Sequence, residues 1–533
     1  MNLGRLIEDN IARFGEYDYL YFEGQWHTNV EINRMANRLG NALKEFGIRK
    51  GDRVGVQLFN CPQLIETFLA IFKIGAIVVP VNPALRPSDA AYIYRDSGVR
   101  VLITSVDYLG RVEEACQEAA ELEKIIVIDS DDAPGAISYN KLVEQSADKL
   151  TIEDTDNDDI AALIYTAGTT GRPKGVMLNH YSFYTHVSGY YEMMLDTRGI
   201  MVKGVVSEWD VKQDKMVEKE VEVFGINHKR ISLMALPLFH AYGIVRAKLE
   251  LLTGGRLILL RRWDAEEAMK LVEQHKVTDF PGVPTMYIQI LNHPNIDKYD
   301  LSSLQTCICG SAPMPLEVAR EWQRKYGVDI WEGYGLTEAT AVDSGNIGAR
   351  RPPKYGSVGK CYQKCNTFKI FDQNDQELPP GKEGEIVIKG PAVMKGYWNM
   401  PEETAEALRG GWLHTGDIGY MDEDGYIYLT ERKKDLIIRG GENIYPKEVE
   451  NVLYDHGQVL EAGVIGIPHP VYGEEVKAFV ALKSGASVTE EELIDFCKQH
   501  LPTYKRPKSI QFLDSLPKSA IGKILRKELR ALG

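Results

Sequence analysis

Residues 165–175 read YTAGTTGRPKG, a run crowded with groups that can hold an anion. Three glycines allow the backbone to turn so that successive N–H groups face one anion. The hydroxyls of Thr166, Thr169 and Thr170 add donors, Gly168 and Gly171 space them, and Lys174 adds a positive charge. An apolar run at 160–164 precedes the loop and reads as a buried strand. The loop is thus placed at a strand end, where ligands bind in α/β sheets. The pattern GxxxxGK[ST] is absent, because Gly175 follows Lys174 where Ser or Thr would hold magnesium. A nucleotide phosphate loop of another type is expected.

Further clusters follow in chain order. The segment LPLFHAYG sets His240 in apolar surroundings, where a lone histidine is often structural, though a functional role is the reading favoured here. Gly310, Ser311, Ala312 and Pro313 form a tight turn after an apolar strand. The run GYGLTE, Gly333 to Glu338, offers an aromatic face, glycines, the Thr337 hydroxyl and a carboxylate. A carboxylate beside polyphosphate is the usual way to hold magnesium. The run HTGD ends in Asp417, an acid after a glycine turn, suited to accept from two ribose hydroxyls. ERKKDLIIRGGEN at 431–443 alternates charge, apolar strand and a Gly-Gly turn, and PKSAIGK places Lys523 just after a glycine near the chain end. Each is weak alone; their order and spacing together are not.

The elements that must position these groups are legible in outline. Residues 53–130 alternate strand-like and helix-like segments, and the alternation resumes from 233 to about 334, which is α/β patterning. From 356 to 429 short strands lie close together, with turns at Asn374-Asp375, Pro379-Pro380-Gly381 and Asp424-Gly425, as in a small β-barrel or sandwich. After Lys434 comes a compact α+β module. Residues 205–223 depart from their surroundings, dense in charge and alternating around a polar turn near 213–215, and read as a β-hairpin.

Composition narrows the function. A chain of 533 residues is long enough for several domains, and a net charge of -14 argues against a general nucleic-acid binder. The tail 501–533 is the reverse, with eight basic residues against two acidic ones, which suits a polyanionic substrate or a solvated helix face. Seven cysteines, odd in number and irregularly spaced, suit a reducing, cytoplasmic setting. Neither Cys307/Cys309 nor Cys361/Cys365 has ligands nearby in sequence to complete a zinc site. The first fifteen residues read as a short amphipathic helix rather than a signal peptide, and the most apolar stretch, 68–81, is too short to span a bilayer.

With these motifs in this order, the chain resembles the adenylate-forming superfamily: acyl-CoA synthetases, peptide-synthetase adenylation domains and beetle luciferases. The resemblance runs from about Leu3 to Leu529, and GGWLHTGDIGYMDEDGYIYLTERKKDLI is similar to the fatty acyl-CoA synthetase signature. It implies an α/β fold: a large N-terminal AMP-binding domain, 1–433, of two α/β subdomains plus a small β-barrel, and a mobile α+β C-terminal domain, 434–533, hinged at Lys434. It implies that the 165–175 loop wraps the β- and γ-phosphates. Gly310 to Pro313, Gly333 and Tyr334 would frame adenine with Glu332 at its edge, and Thr337 would touch the α-phosphate. Glu338 would bind Mg2+, while Asp417 and Arg432 would hold ribose. Lys523 would act in adenylation. Gly440, Gly441 and Glu442 would meet CoA. His240, Tyr242, Gly243, Val283, Pro284 and Gly335 would wall the acyl pocket, Gly335 also belonging to the ATP/AMP-binding set, and His240 counts with Lys523, Thr337 and Glu338 among the catalytic residues.

The implied activity is activation of a carboxylic acid by ATP, then transfer to CoA. Fatty, alicyclic and aromatic acids all fit the apolar residues named. Loading of a carrier protein's phosphopantetheine is the alternative. The implied partners are the acid, ATP and CoA, with a homodimer and a lysine acylase or deacylase acting on Lys523 also in view. Two departures stand out. Ala167 replaces the family's usual serine, and the 205–223 segment lengthens a connection that is usually shorter.

Overall fold

The structure is a computed structural model that describes every residue except 1, 118–120, 167–171, 186–200, 211–214, 225–229, 342–343, 346–352, 362–365, 433–434, 440–441 and 520–521. Of 201–210, 215–224 and 431–432 it describes the backbone alone.

The apolar runs between helical segments become parallel strands. In an eight-stranded sheet, Ile160–Thr166, Ile77–Pro80, Arg53–Gln57, Val99–Thr104 and Lys124–Val127 are parallel neighbours. In a nine-stranded sheet, six strands from Ile330–Tyr334 to Asp18–Phe22 run parallel. Strands covered on both faces read as continuous apolar runs rather than alternating ones. Ile77–Pro80 and Asp279–Gly282 are buried throughout.

Chain order in the nine-stranded sheet decides where a ligand can sit. From Ile231–Met234 the chain moves to Arg256–Leu259 on one side, then returns to Asp279–Gly282 on the other. The strand order reverses between Ile231–Met234 and Asp279–Gly282, and the carboxyl ends there border a crevice. His240 follows the first strand and Val283 the second, so the expected acyl-pocket residues flank this reversal point.

The helix that His240 caps, Ala241–Thr253, is held to the sheet by buried ions. Arg230 Nε lies 3.4 Å from Glu250 Oε2 and its Nη2 lies 3.1 Å from Asp279 Oδ1, while Ser232 Oγ donates to Glu250 Oε1 at 2.7 Å. Buried charges need such partners, so this cluster sets the helix register against both strands.

A four-stranded antiparallel sheet, Thr367–Phe371, Gly384–Lys389, Leu413–Met421 and Ile427–Arg432, forms the small β module. Residues 205–223 do lie in a two-stranded ribbon, paired from Met201–Phe224 to Asp210–Lys215; most of the expected turn falls outside the described residues. The last hundred or so residues build a five-stranded sheet with flanking helices. Its core, around Ile437, Val464, Ala478 and Leu493, is separate from the core that runs from Leu3 to Ile427. The fold is thus α/β, with a large N-terminal domain and a small C-terminal domain.

Candidate active site

The phosphate-loop sequence closes a hairpin. Ile160–Thr166 pairs antiparallel with Lys174–Asn179, and Thr166 and Lys174 are the last register partners before the loop. Gly168, Thr169, Thr170 and Gly171, with Ala167, lie outside the described residues. A strap at 394–398 then crosses this hairpin. Gly396–Tyr397 pairs with Met177 and Val176, Lys395 N donates to Met177 O at 3.0 Å, and Trp398 N donates to Gly175 O at 2.7 Å. The ring of Tyr397 thereby lies 4.9 Å from Lys174 Nζ.

The same strap reaches the GYGLTE segment. Ile330–Tyr334 delivers that segment to the carboxyl edge of the nine-stranded sheet, and Thr337–Ala339 follows as a single tight turn after Gly335. Met394 N donates to Glu338 O at 2.8 Å, and Tyr397 Oη donates to Glu338 Oε1 at 3.1 Å. Sequence reasoning missed Tyr397; the signal was the GYW tripeptide at 396–398. A single carboxylate such as that of Glu338 would suit Mg2+, which is commonly bound through one or two carboxylates together with substrate phosphates.

The expected nucleoside residues meet across two modules. Tyr334 Oη donates to Asp417 Oδ2 at 2.6 Å, although 83 residues separate them. Asp417 is buried, and Gly416 at φ +69° turns the backbone just before it. Asp417 is the register partner of Arg432, whose side chain is not described. Gly310 N donates to Gly282 O at 3.3 Å, joining the ends of neighbouring strands. A methyl on Gly310 would lie 3.4 Å from the Tyr242 ring, so the turn at 310–313 abuts the pocket wall. Ser311 there has φ +68°. Glu332 is buried, which pushes its carboxyl up against the opposing pull of Lys447.

Among the expected acyl-pocket residues, Val283 is buried and Pro284 opens the helix Pro284–Leu291. Gly243 packs where a methyl would meet Pro237 O at 2.3 Å, so only glycine lets the helix start approach that carbonyl. Burial pushes the His240 imidazole down to about 4, so the ring is neutral near pH 7 and can exchange hydrogen bonds but carries no charge. The named wall residues are apolar, aromatic or neutral. One turn further along the same helix come Arg246, Lys248 and Glu250, all buried, which the sequence reading did not single out. A cavity of about 520 Å³ on the small β module, bordered by Lys369, Lys389, Met394 and Trp412, holds none of the predicted residues.

The end of the chain closes the arrangement. Ser519 N donates to Lys523 O at 2.8 Å and Gly522 N to Ser519 O at 2.8 Å, so Lys523 ends a tight turn. Thr285 Oγ1 donates to Gly522 O at 2.9 Å. The turn before Lys523 therefore rests on the segment that follows Val283, beside the reversal point. Glu442 is exposed in the hairpin formed by Ile437–Arg439 and Glu442–Ile444, and is not brought into this cluster. Gly440, Gly441 and Lys434 lie outside the described residues.

Comparison with known proteins agrees with the geometry. The sequence profile of the AMP-binding enzyme family matches residues 7–398, and that of the AMP-binding enzyme C-terminal domain matches 448–523. The chain is 39% identical over 557 residues to a long-chain-fatty-acid–CoA ligase of Bacillus subtilis (strain 168), covering 99% of this chain and 94% of the relative. It is 36% identical over 515 residues to a feruloyl-CoA synthase of Amycolatopsis sp, covering 94% and 93%. The crystal structure of the anthranilate CoA ligase AuaEII with anthranoyl-AMP superposes with a TM-score of 0.87 at 28% identity, covering 100% and 97%. With both profiles matched and these relatives covered almost end to end, the chain belongs to the AMP-binding enzyme family as an AMP-forming acid–thiol ligase with ATP and CoA as substrates.

Proposed function

We propose that the enzyme activates an apolar carboxylic acid, with medium- or long-chain fatty acids first and alicyclic or aromatic acids next, and passes the acyl group to CoA. The observation that carries this reading is the docking of the Lys523 turn on Thr285 at the reversal point, with Tyr334–Asp417 and the Lys174 hairpin as the other walls. The fatty-acid preference rests on the 39% identity to a long-chain ligase and on the apolar pocket wall.

A carboxylate is a poor acyl donor because oxide is a poor leaving group. Its attack on the α-phosphate of ATP gives acyl-AMP and releases pyrophosphate. The transition state spreads charge over phosphoryl oxygens, and stabilising it is a matter of placed donors and cations. Lys174 and the loop hydroxyls take the β- and γ-phosphates, Thr337 the α-phosphate, Asp417 the ribose and Lys523 the oxygens at the reacting centre. Glu338 would hold Mg2+, which would offset phosphate charge. Neutral His240 with Tyr242 and Gly243 shapes the acyl side. The CoA thiol then attacks the carbonyl and AMP leaves, so no protein nucleophile is needed.

Lys523 and the pantetheine arm need the same space. We therefore place a domain boundary and hinge at Lys434, between the two hydrophobic cores, with Gly440 and Gly441 meeting CoA after rotation. The working compartment is taken to be the cytoplasm. Buried Cys61 and Cys497, pushed up to about 12 and about 11, would there remain inert thiols.

The test is a panel of straight-chain, alicyclic and hydroxycinnamic acids, followed by pyrophosphate release and acyl-CoA yield. A fatty acid of eight or more carbons is expected to give the highest kcat/KM. Thioester formation on a carrier protein but not on free CoA would overturn the reading.

Gly522 offers a second check. Its φ is +73°, and a methyl there would sit 2.4 Å from Thr285 Oγ1. Gly522→Ala is expected to slow adenylation on the order of tenfold or more, because a left-handed alanine alone costs about 1–2 kcal/mol. Conversion of supplied acyl-AMP to acyl-CoA should be unchanged. Both half-reactions are measured separately, and equal losses would count against the docked turn.

A further inference from the structure

We infer that Tyr397 is a positioning residue that couples the phosphate-binding lysine to the metal-binding carboxylate; this rests on the nucleotide roles proposed above. One side chain makes both contacts. Its ring lies 4.9 Å from Lys174 Nζ, and its hydroxyl donates to Glu338 Oε1 at 3.1 Å. The two contacts use different parts of the residue, so they can be removed separately.

The strap is fixed independently of either contact. Gly396 and Tyr397 are register partners of Met177 and Val176, next to the phosphate loop. Thr404 Oγ1 accepts from Tyr397 N at 2.9 Å, and Trp398 Nε1 donates to Asp96 O at 3.0 Å. Gly396 has φ +140°, and a methyl there would lie 2.5 Å from Thr404 Cγ2, so the backbone is set where only glycine fits. Met394 N also holds Glu338 O. The ring is therefore carried to a fixed point between the hairpin and the acid-bearing turn. A cation beside an aromatic face, and a carboxylate accepting from a phenol, each lose conformational freedom before substrate arrives.

The role predicts a split that packing alone would not give. Tyr397→Phe keeps the ring near Lys174 and removes the bond to Glu338. Tyr397→Leu removes both. Binding is read by calorimetry with ATP alone and with Mg·ATP, in the absence of acid and CoA. In Tyr397→Phe, affinity for ATP alone should match wild type, while the gain on adding magnesium falls about tenfold, the scale of one hydrogen bond to a charged group. In Tyr397→Leu, affinity for ATP alone should also fall, by about two- to fivefold for a lost cation–π contact. Glu338→Gln combined with Tyr397→Phe should cost no more than Glu338→Gln alone. KM for the acid should stay constant in Tyr397→Phe.

An undiminished magnesium gain in Tyr397→Phe overturns the inference, as does equal loss for ATP and Mg·ATP in that variant. Failure of wild-type protein to bind Mg·ATP at all would instead overturn the nucleotide reading on which it rests.

Discussion

Lys523→Ala is expected to slow formation of acyl-AMP by about 10²–10³-fold, the scale of losing one preorganised charge at a transition state. The thermal midpoint should not move, because the side chain is partly exposed and the turn is held by backbone bonds among Ser519, Gly522 and Lys523. Thioester formation from supplied acyl-AMP should be nearly unchanged. The asymmetry follows from geometry. The turn is seated on Thr285, at the carboxyl edge of the sheet where Tyr334 and Asp417 also meet. On the function proposed above, a cation delivered there would meet the α-phosphate and the acid, whereas thiol attack would need that space vacated. The measurement is single-turnover acyl-AMP formation against single-turnover CoA transfer. Equal losses in both would remove Lys523 from the adenylation machinery. Acylation of the same lysine removes the same charge. Protein acetylated at Lys523 should therefore behave as the alanine variant does.

Much of this arrangement could be read from residue order, for physical reasons. Parallel strands covered on both faces leave apolar runs such as IVVP at 77–80, and the phosphate loop follows one of them. Motif order located Asp417 and Tyr334, though not their contact. That contact depends on the small β module folding over the end of the nine-stranded sheet. The GYW tripeptide marks Tyr397 but does not reveal its contacts, because its partners are distant in sequence. Glu338 lies 59 residues away, and the strap reaches it only through pairing with Val176 and Met177. The buried charges further along the His240-capped helix were not read from its residues. Arg246, Lys248 and Glu250 look like a solvated face until Arg230 and Asp279, from neighbouring strand ends, bury and compensate part of that charge. The hairpin read at 205–223 was legible as alternation, and its strands pair as far out as Met201 and Phe224.

Lys434→Pro is expected to leave acyl-AMP formation within a few-fold of wild type while CoA transfer falls by about 10²-fold or more, the scale on which misplaced reacting groups lose rate. Lys434 joins two modules with separate hydrophobic cores. Among the described residues, bonds crossing that divide include Thr285 to Gly522, Lys447 Nζ to Leu429 O at 3.4 Å, and Tyr445 to Glu383. The first two are part-buried and the third is exposed, and a hydrogen bond exchanged for water costs little net free energy. The next residue, Asp435, belongs firmly to the C-terminal module through Arg530 at 2.9 Å and Arg526 at 3.6 Å. The proposed rotation would therefore be absorbed before Asp435. A few backbone dihedrals suffice for such a swing. Proline fixes φ near −65° at 434 and restricts residue 433 as well. A protein locked with the Lys523 turn seated on Thr285 can still activate acid but cannot clear the space for thiol. Bound acyl-AMP should accumulate in the variant and be recoverable by acid quench. Wild-type thioester turnover in Lys434→Pro would place the hinge elsewhere in the chain.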